Sequence, residues 1–321
     1  MDKRFWDDKR YHSLDYELKK TFGKKLYKLS LNGGMSCPNR DGTIDTSGCI
    51  FCSQGGSGDF SADSKLSITE QIIEAKKLIE NKLKRNTDSA YIAYFQAFTN
   101  THAPVPYLKR IFSEAINNPD IALLSIATRP DCLGDDVLSL LENLNTKKPV
   151  WIELGLQTIH EDTANFIRRG YKLSVFEEAA SRLHDAGITV IVHTILGLPK
   201  ETKNDMLSTM RYIGALSDEG LVQGIKLQLL HILEGTDLGR LYLSQHNNDL
   251  SIDILSMEDY IDLVIACLEH LPEELVIHRL TGDGPKSILL APNWSSNKKL
   301  VLNTLHHAMK EADSWQGKRY S

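Results

Sequence analysis

The chain has 321 residues, 41% of them hydrophobic, with 37 Lys and Arg against 42 Asp and Glu for a formal net charge of -5. That composition can bury a full core as one barrel or two smaller domains, and it excludes a uniformly basic nucleic-acid coat. No apolar run approaches the ~18 residues that span a bilayer, and the opening MDKRFWDDKR is charged rather than signal-like, so a cytoplasmic protein with no membrane association is expected.

The charge is unevenly placed. Residues 1 to 36 carry nine Lys and Arg against five Asp and Glu, and residues 286 to 321 carry six against two, so each end is +4 and the middle is -13. Solvated Lys-rich faces and an anion-binding surface are both open readings of the two ends.

Residues 1–25 read as an N-terminal extension. LYKLSL from Leu26 opens a series of β-rich runs, and a long loop separates it from a helical pattern over Ser67 to Arg85. AYIAYF from Ala90, a helix over Val105 to Asn117, IALLSIAT from Ile121, and a helix over Asp135 to Leu144 follow. VWIELGL from Val150, a helix over Leu173 to Ala186, ITVIVHTI from Ile188, a helix over Thr202 to Leu216, and GIKLQLL from Gly224 complete the series. Several runs are nearly continuous apolar stretches, as strands buried on both faces are. Gly187 reads as a helix stop and Thr202 as an N-cap.

Strand starts after the first lie about 30 to 40 residues apart, the rhythm of parallel βα units. Six such units fit a doubly wound sheet or an incomplete barrel, and both place functional loops at the carboxyl ends of strands. The motif positions favour the partial barrel. We therefore expect a core over 26–235 and a helical C-terminal extension over 236–321 that closes the barrel.

Five cysteines is an odd count, which argues against a disulfide framework. Cys132 and Cys267 stand alone in apolar or helical surroundings and are expected to behave as small hydrophobes. The other three fall in NGGMSCPNRDGTIDTSGCIFCSQGGSGDF, as Cys37-x11-Cys49-x2-Cys52, among turn-forming residues whose amides can converge on an anionic centre. A zinc site needs a fourth ligand, for which His12 and His102 are candidates, although neither stands at a recognised spacing. A 4Fe-4S cluster on three cysteines leaves one iron open to a small molecule. On the residues alone, both remain open.

Phe51 precedes the last cysteine, and the loop follows the first strand of a six-strand βα rhythm. This arrangement resembles the radical S-adenosylmethionine (SAM) superfamily, and the x11 gap is similar to that of the Elongator catalytic subunit and a bacterial subfamily beside it. The resemblance implies an α/β fold, a partial (β/α)6 TIM-type barrel with short N- and C-terminal extensions. It also implies a 4Fe-4S cluster on Cys37, Cys49 and Cys52, with SAM on the open iron. An electron from flavodoxin or ferredoxin then yields methionine and a 5'-deoxyadenosyl radical.

Further motifs carry the same resemblance. In FQAFTNTHAP, Gln96, Thr99 and Asn100 follow the second strand, where the superfamily meets the methionine amine of SAM. SIATRPDC is similar to the ATRPD segment of Elongator-like members, which turns Thr128 and Arg129 towards the cofactor carboxylate or the substrate; the alternative for Arg129 is a salt bridge to Asp131. Gln157 and Arg169 match the spacing of the coproporphyrinogen oxidase branch, implying contacts to the ribose and the methionine carboxylate. HTILGLPKET resembles the adenine and ribose segment, with His193 where relatives often have Asp; the alternative is a histidine satisfied in the core.

Near the C-terminus, HRLTGDGPKSILLAPNW offers Arg279, Asp283 and Lys286 to a substrate, and Trp294 either stacks on a base or packs the last helix. With RYHSLDYELKKTFGKKLYKLSLNGG at the start, it looks like a bacterial radical SAM subfamily associated with transfer-RNA modification. The substrate implied is the wobble uridine of transfer RNA, its carboxymethylaminomethyl side chain taken towards aminomethyl. A small metabolite or peptide substrate, or a non-catalytic zinc-stapled RNA-binding protein, are the alternatives.

Overall fold

The computed structural model describes residues 5–56, 61–83, 90–244, 252–282 and 284–320. The six expected strands stand almost where the apolar runs put them: β1 (Leu26–Leu31), β2 (Ala90–Phe95), β3 (Ile121–Thr128), β4 (Val150–Gln157), β5 (Thr189–Leu196) and β6 (Gly224–Leu229). A two-residue strand β7 (Ile232–Leu233) follows, and then β8 (Val276–Arg279), which joins the sheet beyond β6. The result is a seven-stranded, all-parallel sheet in chain order, curled into a partial barrel. The segment expected to be helical thus also supplies the seventh strand, and β9 (Leu289–Ala291) pairs antiparallel with β7.

Helices return the chain between strands. They are α2 (Ile68–Leu83), α3 (Val105–Ile116), α4 (Asp135–Asn145), the short α5 (Glu161–Phe166), α6 (Leu173–Asp185) and α7 (Lys203–Asp218). They bury Leu108, Phe112, Leu141, Phe176, Met210 and their neighbours against the outer face of the sheet, where Leu29, Phe95, Ile126, Leu154, Val192 and Leu227 point. Each such side chain removed from water contributes roughly 1.5–3 kcal/mol. Gly187 ends α6 at φ +65°, a conformation open to glycine at little cost. Thr202 caps α7, accepting from the Asp205 amide while the Asp205 carboxylate accepts from Thr202, so both ends of the capping box are present.

The inner face is layered. Near the amino ends of the strands, Leu26, Ile92, Leu123 and Trp151 pack with Leu14, Leu18 and Phe22 of α1 (Leu14–Phe22), which closes the floor of the barrel. Above that apolar layer lie charged side chains, and above those the loops at the carboxyl ends.

The two chain ends meet beside β8. The Ile277 amide donates to the His12 carbonyl at 2.7 Å, the His12 amide donates to Gln316 Oε1 at 2.8 Å, and Arg10 pairs with Asp313 at 3.1 Å. The basic ends of the sequence therefore lie together, but several of their cations are neutralised locally, as in Lys19–Asp15, Lys25–Asp15 and Arg319–Glu269. Among the described residues, no helix is long and apolar enough to cross a membrane.

Candidate active site

The loop after β1 carries Cys37, Cys49 and Cys52, all half-buried. Tight turns shape it: the Arg40 and Asp41 amides donate to the Cys37 carbonyl at 2.7 and 3.1 Å, and the Cys52 amide donates to the Cys49 carbonyl at 3.1 Å. Gly48, at φ +73°, leaves room for the Arg40 side chain, whose Nε would lie 2.9 Å from any Cβ there. Arg40 in turn donates to the Cys52 and Ser53 carbonyls at 3.0 and 2.6 Å.

Asn39 ties the loop to the end of the fourth βα unit. Its Nδ2 donates to the Arg168 carbonyl at 2.8 Å and lies 3.5 Å from Cys49 Sγ, while its buried Oδ1 has no partner. The hydrogen bond with Cys52 outweighs burial, and with Asn39, Arg129 and Arg40 alongside it holds the Cys49 thiol down to about 7. Cys52 is pushed well up by the same hydrogen bond and by burial. The pair thus shares one proton near neutrality, leaving a thiolate, the form that binds metal.

These residues fit an iron-sulfur cluster better than a single ion. His12 is held by Glu17 at 2.9 Å and by the Glu273 carbonyl, and His102 by Asp41 at 2.8 Å, so both candidate zinc ligands are already engaged. Three thiols on one loop, one of them ionised, and an amide N–H beside a sulfur are a donor set suited to a cluster with one open iron. Cys132 and Cys267 are pushed up to about 12 by burial, consistent with the inert role expected of them.

Gln96, Thr128, Arg129, Gln157 and Arg169 all lie at or just beyond the carboxyl ends of β2, β3 and β4, on the side of the sheet that carries the cysteine loop. Phe51 packs half-buried against the small cluster of Ile50, Ile167, Leu198 and Leu230. The Thr128 hydroxyl is spent on Thr101 at 2.6 Å. Arg129 grips Asp131 with two bonds of 2.9 and 2.7 Å and donates to the Arg169 carbonyl, so the salt bridge weighed from sequence is present. Gln157, at φ +65° where β4 shifts register, accepts from the Tyr171 hydroxyl at 3.0 Å. Arg169 is 1% exposed and donates to the carbonyls of Leu156, Thr158 and Tyr171 and to Glu161. It braces the strand end.

His193 points into the barrel, its Nε2 donating to Glu153 Oε2 at 2.9 Å. Arg279 also lies there, donating to Gln228 Oε1 at 2.8 Å. Lys286 is exposed between β8 and β9, and Asp283 lies outside the described residues. Trp294 packs against Tyr260, with ring centroids 5.4 Å apart, and donates to the Leu255 carbonyl at 3.0 Å. It is packed half-buried in the protein, against Tyr260 rather than the last helix expected from the sequence.

Sequence reasoning passed over the charged layer of the lumen. Glu153, on the inner face of β4, accepts from Lys28 at 2.8 Å and Ser125 at 2.9 Å, and pairs with Lys226 and His193. Burial pushes the Glu153 carboxyl up, but Lys226, Lys28 and His193 outweigh it and hold it well below the usual range. The signal available was a lone Glu inside the apolar run VWIELGL and a Lys two residues before Gln228 inside GIKLQL.

Burial, with Lys226 nearby, presses His193 down from 6.5 to about 4. The folded ring stays neutral while the unfolded chain takes a proton below about pH 6.5. The contribution of His193 to stability is therefore complete above pH 6.5 and is lost as the pH falls towards 4. Urea titrations at pH 7 and pH 5 should show a smaller loss of stability for His193→Gln than for the parent; equal losses contradict this.

The profile of the radical SAM superfamily matches residues 37–213, starting on the first loop cysteine, and that of the radical SAM C-terminal domain matches residues 222–311. The chain belongs to the radical SAM superfamily. It is accordingly an enzyme, and the cofactors of its family are a 4Fe-4S cluster and SAM.

Among its relatives is the uncharacterized protein YtqA of Bacillus subtilis, 44% identical over 311 residues, spanning 97% of this chain and 93% of that one. A tRNA uridine(34) acetyltransferase of Dehalococcoides mccartyi is 30% identical over 116 residues, 36% of this chain and 24% of that one. Among solved structures, the Elp3 of the archaeon Methanocaldococcus infernus, with an N-terminal deletion, superposes with a TM-score of 0.66 at 14% identity. The match covers 91% of this chain and 64% of that longer one, and it shows a shared fold.

Proposed function

We propose that this radical SAM enzyme modifies the wobble uridine of transfer RNA, taking a carboxymethylaminomethyl side chain at position 5 towards aminomethyl. The observation that carries this reading is the sequence relationship to a protein named for uridine 34 of transfer RNA, combined with the Elongator-like Cys37-x11-Cys49-x2-Cys52 spacing. In this reading the three cysteines hold the cluster, and SAM when bound supplies the hydrogen-abstracting chemistry.

The chain's own residues position and exclude. Gln96, Gln157 and Phe51 border the SAM side of the barrel mouth. Thr128, Arg129 and Arg169 fix the ends of β3 and β4, and the closed floor keeps water from the lumen. His193 stays neutral and holds Glu153. Arg279 and Lys286 face the substrate, with Asp283 outside the described residues. The electron comes from a flavodoxin or ferredoxin. On the substrate, the carbon between amine and carboxylate would give a hydrogen atom to the radical that SAM supplies and one electron back to the oxidised cluster. Addition of water to the resulting iminium would release the two-carbon unit as an aldehyde acid and leave the aminomethyl amine.

Nucleoside analysis of transfer RNA from a deletion strain is the test. The carboxymethylaminomethyl form should accumulate at the wobble position and the aminomethyl form should disappear; an unchanged profile sinks the assignment.

A further inference from the structure

The middle layer of the barrel holds more positive charge than its own carboxylate balances. Its inward residues come from strands far apart in sequence: Lys28 on β1, Tyr94 on β2, Ser125 on β3, Glu153 on β4, His193 on β5, Lys226 on β6, and His278 and Arg279 on β8. Among the described residues, Lys28, Arg279 and Lys226, the last pressed by burial away from its charged form, thus face one carboxylate. Lys226 and Lys28 sit over the Tyr94 ring at 4.5 and 4.7 Å, and both bind Glu153, whose oxygens are further satisfied by Ser125 and His193. Arg279 has no carboxylate within salt-bridge reach among the described residues, only the neutral Gln228. The His278 Nδ1 beside it is buried and unpartnered.

Two half-buried cations, Lys28 and Arg279, around one carboxylate that Lys226 already engages are stabilised when a further anion offsets them. Lys28 is 25% exposed and His193 22%, so the layer is open to the lumen from above while α1 seals it below. Lys28 lies three residues before the end of β1, about 10 Å beneath the rim at the rise of a strand. A backbone phosphate, flanked by riboses, cannot follow a base to that depth. A carboxylate on a flexible side chain can.

We propose that Lys28, Lys226 and Arg279 form a carboxylate cradle that seats the anionic end of the substrate's side chain. The cradle rests on the wobble-uridine reading and adds the group that is recognised. Arg279 supplies the fork suited to two carboxylate oxygens, with Lys28 closing the other side. The enzyme thereby tells the substrate side chain from its aminomethyl product, which lacks the carboxylate.

Binding of the full chain to two anticodon stem-loops tests this, one bearing carboxymethylaminomethyl uridine and the other aminomethyl uridine at the wobble position. The parent should prefer the first by about tenfold or more, as charge-assisted bonds to a carboxylate allow. Arg279→Gln and Lys28→Met, checked for folding by circular dichroism, should each bring the ratio close to one, and Arg279→Lys should keep part of it. A parent that binds both loops equally, or variants that keep the parental ratio, overturn the cradle while the wobble-uridine reading stands. A chain that binds neither loop overturns both.

Discussion

Replacing Cys49 with alanine is expected to leave a folded chain that no longer retains iron. Cys49 is the member of the cysteine pair held near neutrality as thiolate, and its sulfur is the one Asn39 approaches. After anaerobic reconstitution the parent should be brown and form 5'-deoxyadenosine from SAM and dithionite, whereas Cys49→Ala should give neither colour nor product above background. Asn39→Ala should be milder. Losing a donor beside a ligand typically costs about 10- to 100-fold in metal retention, read here as faster iron loss to a chelator with the far-UV spectrum unchanged. Full iron retention by Cys49→Ala would remove that cysteine from the cluster.

The second large effect lies in the barrel interior. Glu153→Leu takes away the one carboxylate that the charged layer has among the described residues and leaves Lys226, 3% exposed, without its counter-charge. Breaking a buried pair from one side costs roughly 3–5 kcal/mol, because the remaining charge stays desolvated. Denaturant melting of Glu153→Leu should register a loss of that order, and Glu153→Leu combined with Lys226→Met should recover much of it. A single variant as stable as the parent, or a double variant no better than the single, contradicts this account of the layer.

The sheet was legible because its strands are buried on both faces, so the apolar runs are long in β3 and β5, broken only by Ser125 and by His193 with Thr194. β8 was not, since four residues with two polar side chains, His278 and Arg279, have neither length nor alternation to betray them. The cysteine loop was legible for a local reason: its three ligand candidates lie within 16 residues and need no tertiary fold to be seen together. Glu153 and Lys226 are neighbours only through the registers of β4 on β5 and β5 on β6, where Gly155 stands beside His193 and His193 beside Lys226. Spacing along the chain carries no trace of that. Arg129 follows β3 directly and Arg169 stands twelve residues after Gln157, but their bonds to Asp131 and to backbone carbonyls depend on how the loops fold back, which a one-dimensional pattern does not encode.

An incomplete barrel leaves two strand edges, β1 and β8, with unpaired backbone groups that invite foreign strands. Here the stretch before α1 lies along one of them, with His12 accepting from Ile277, and α1 packs on both. Trimming the chain to Gly23 would therefore do more than drain the basic end of charge. It would bare the β8 edge and the apolar floor at once, leaving a fold prone to self-association through its own sheet.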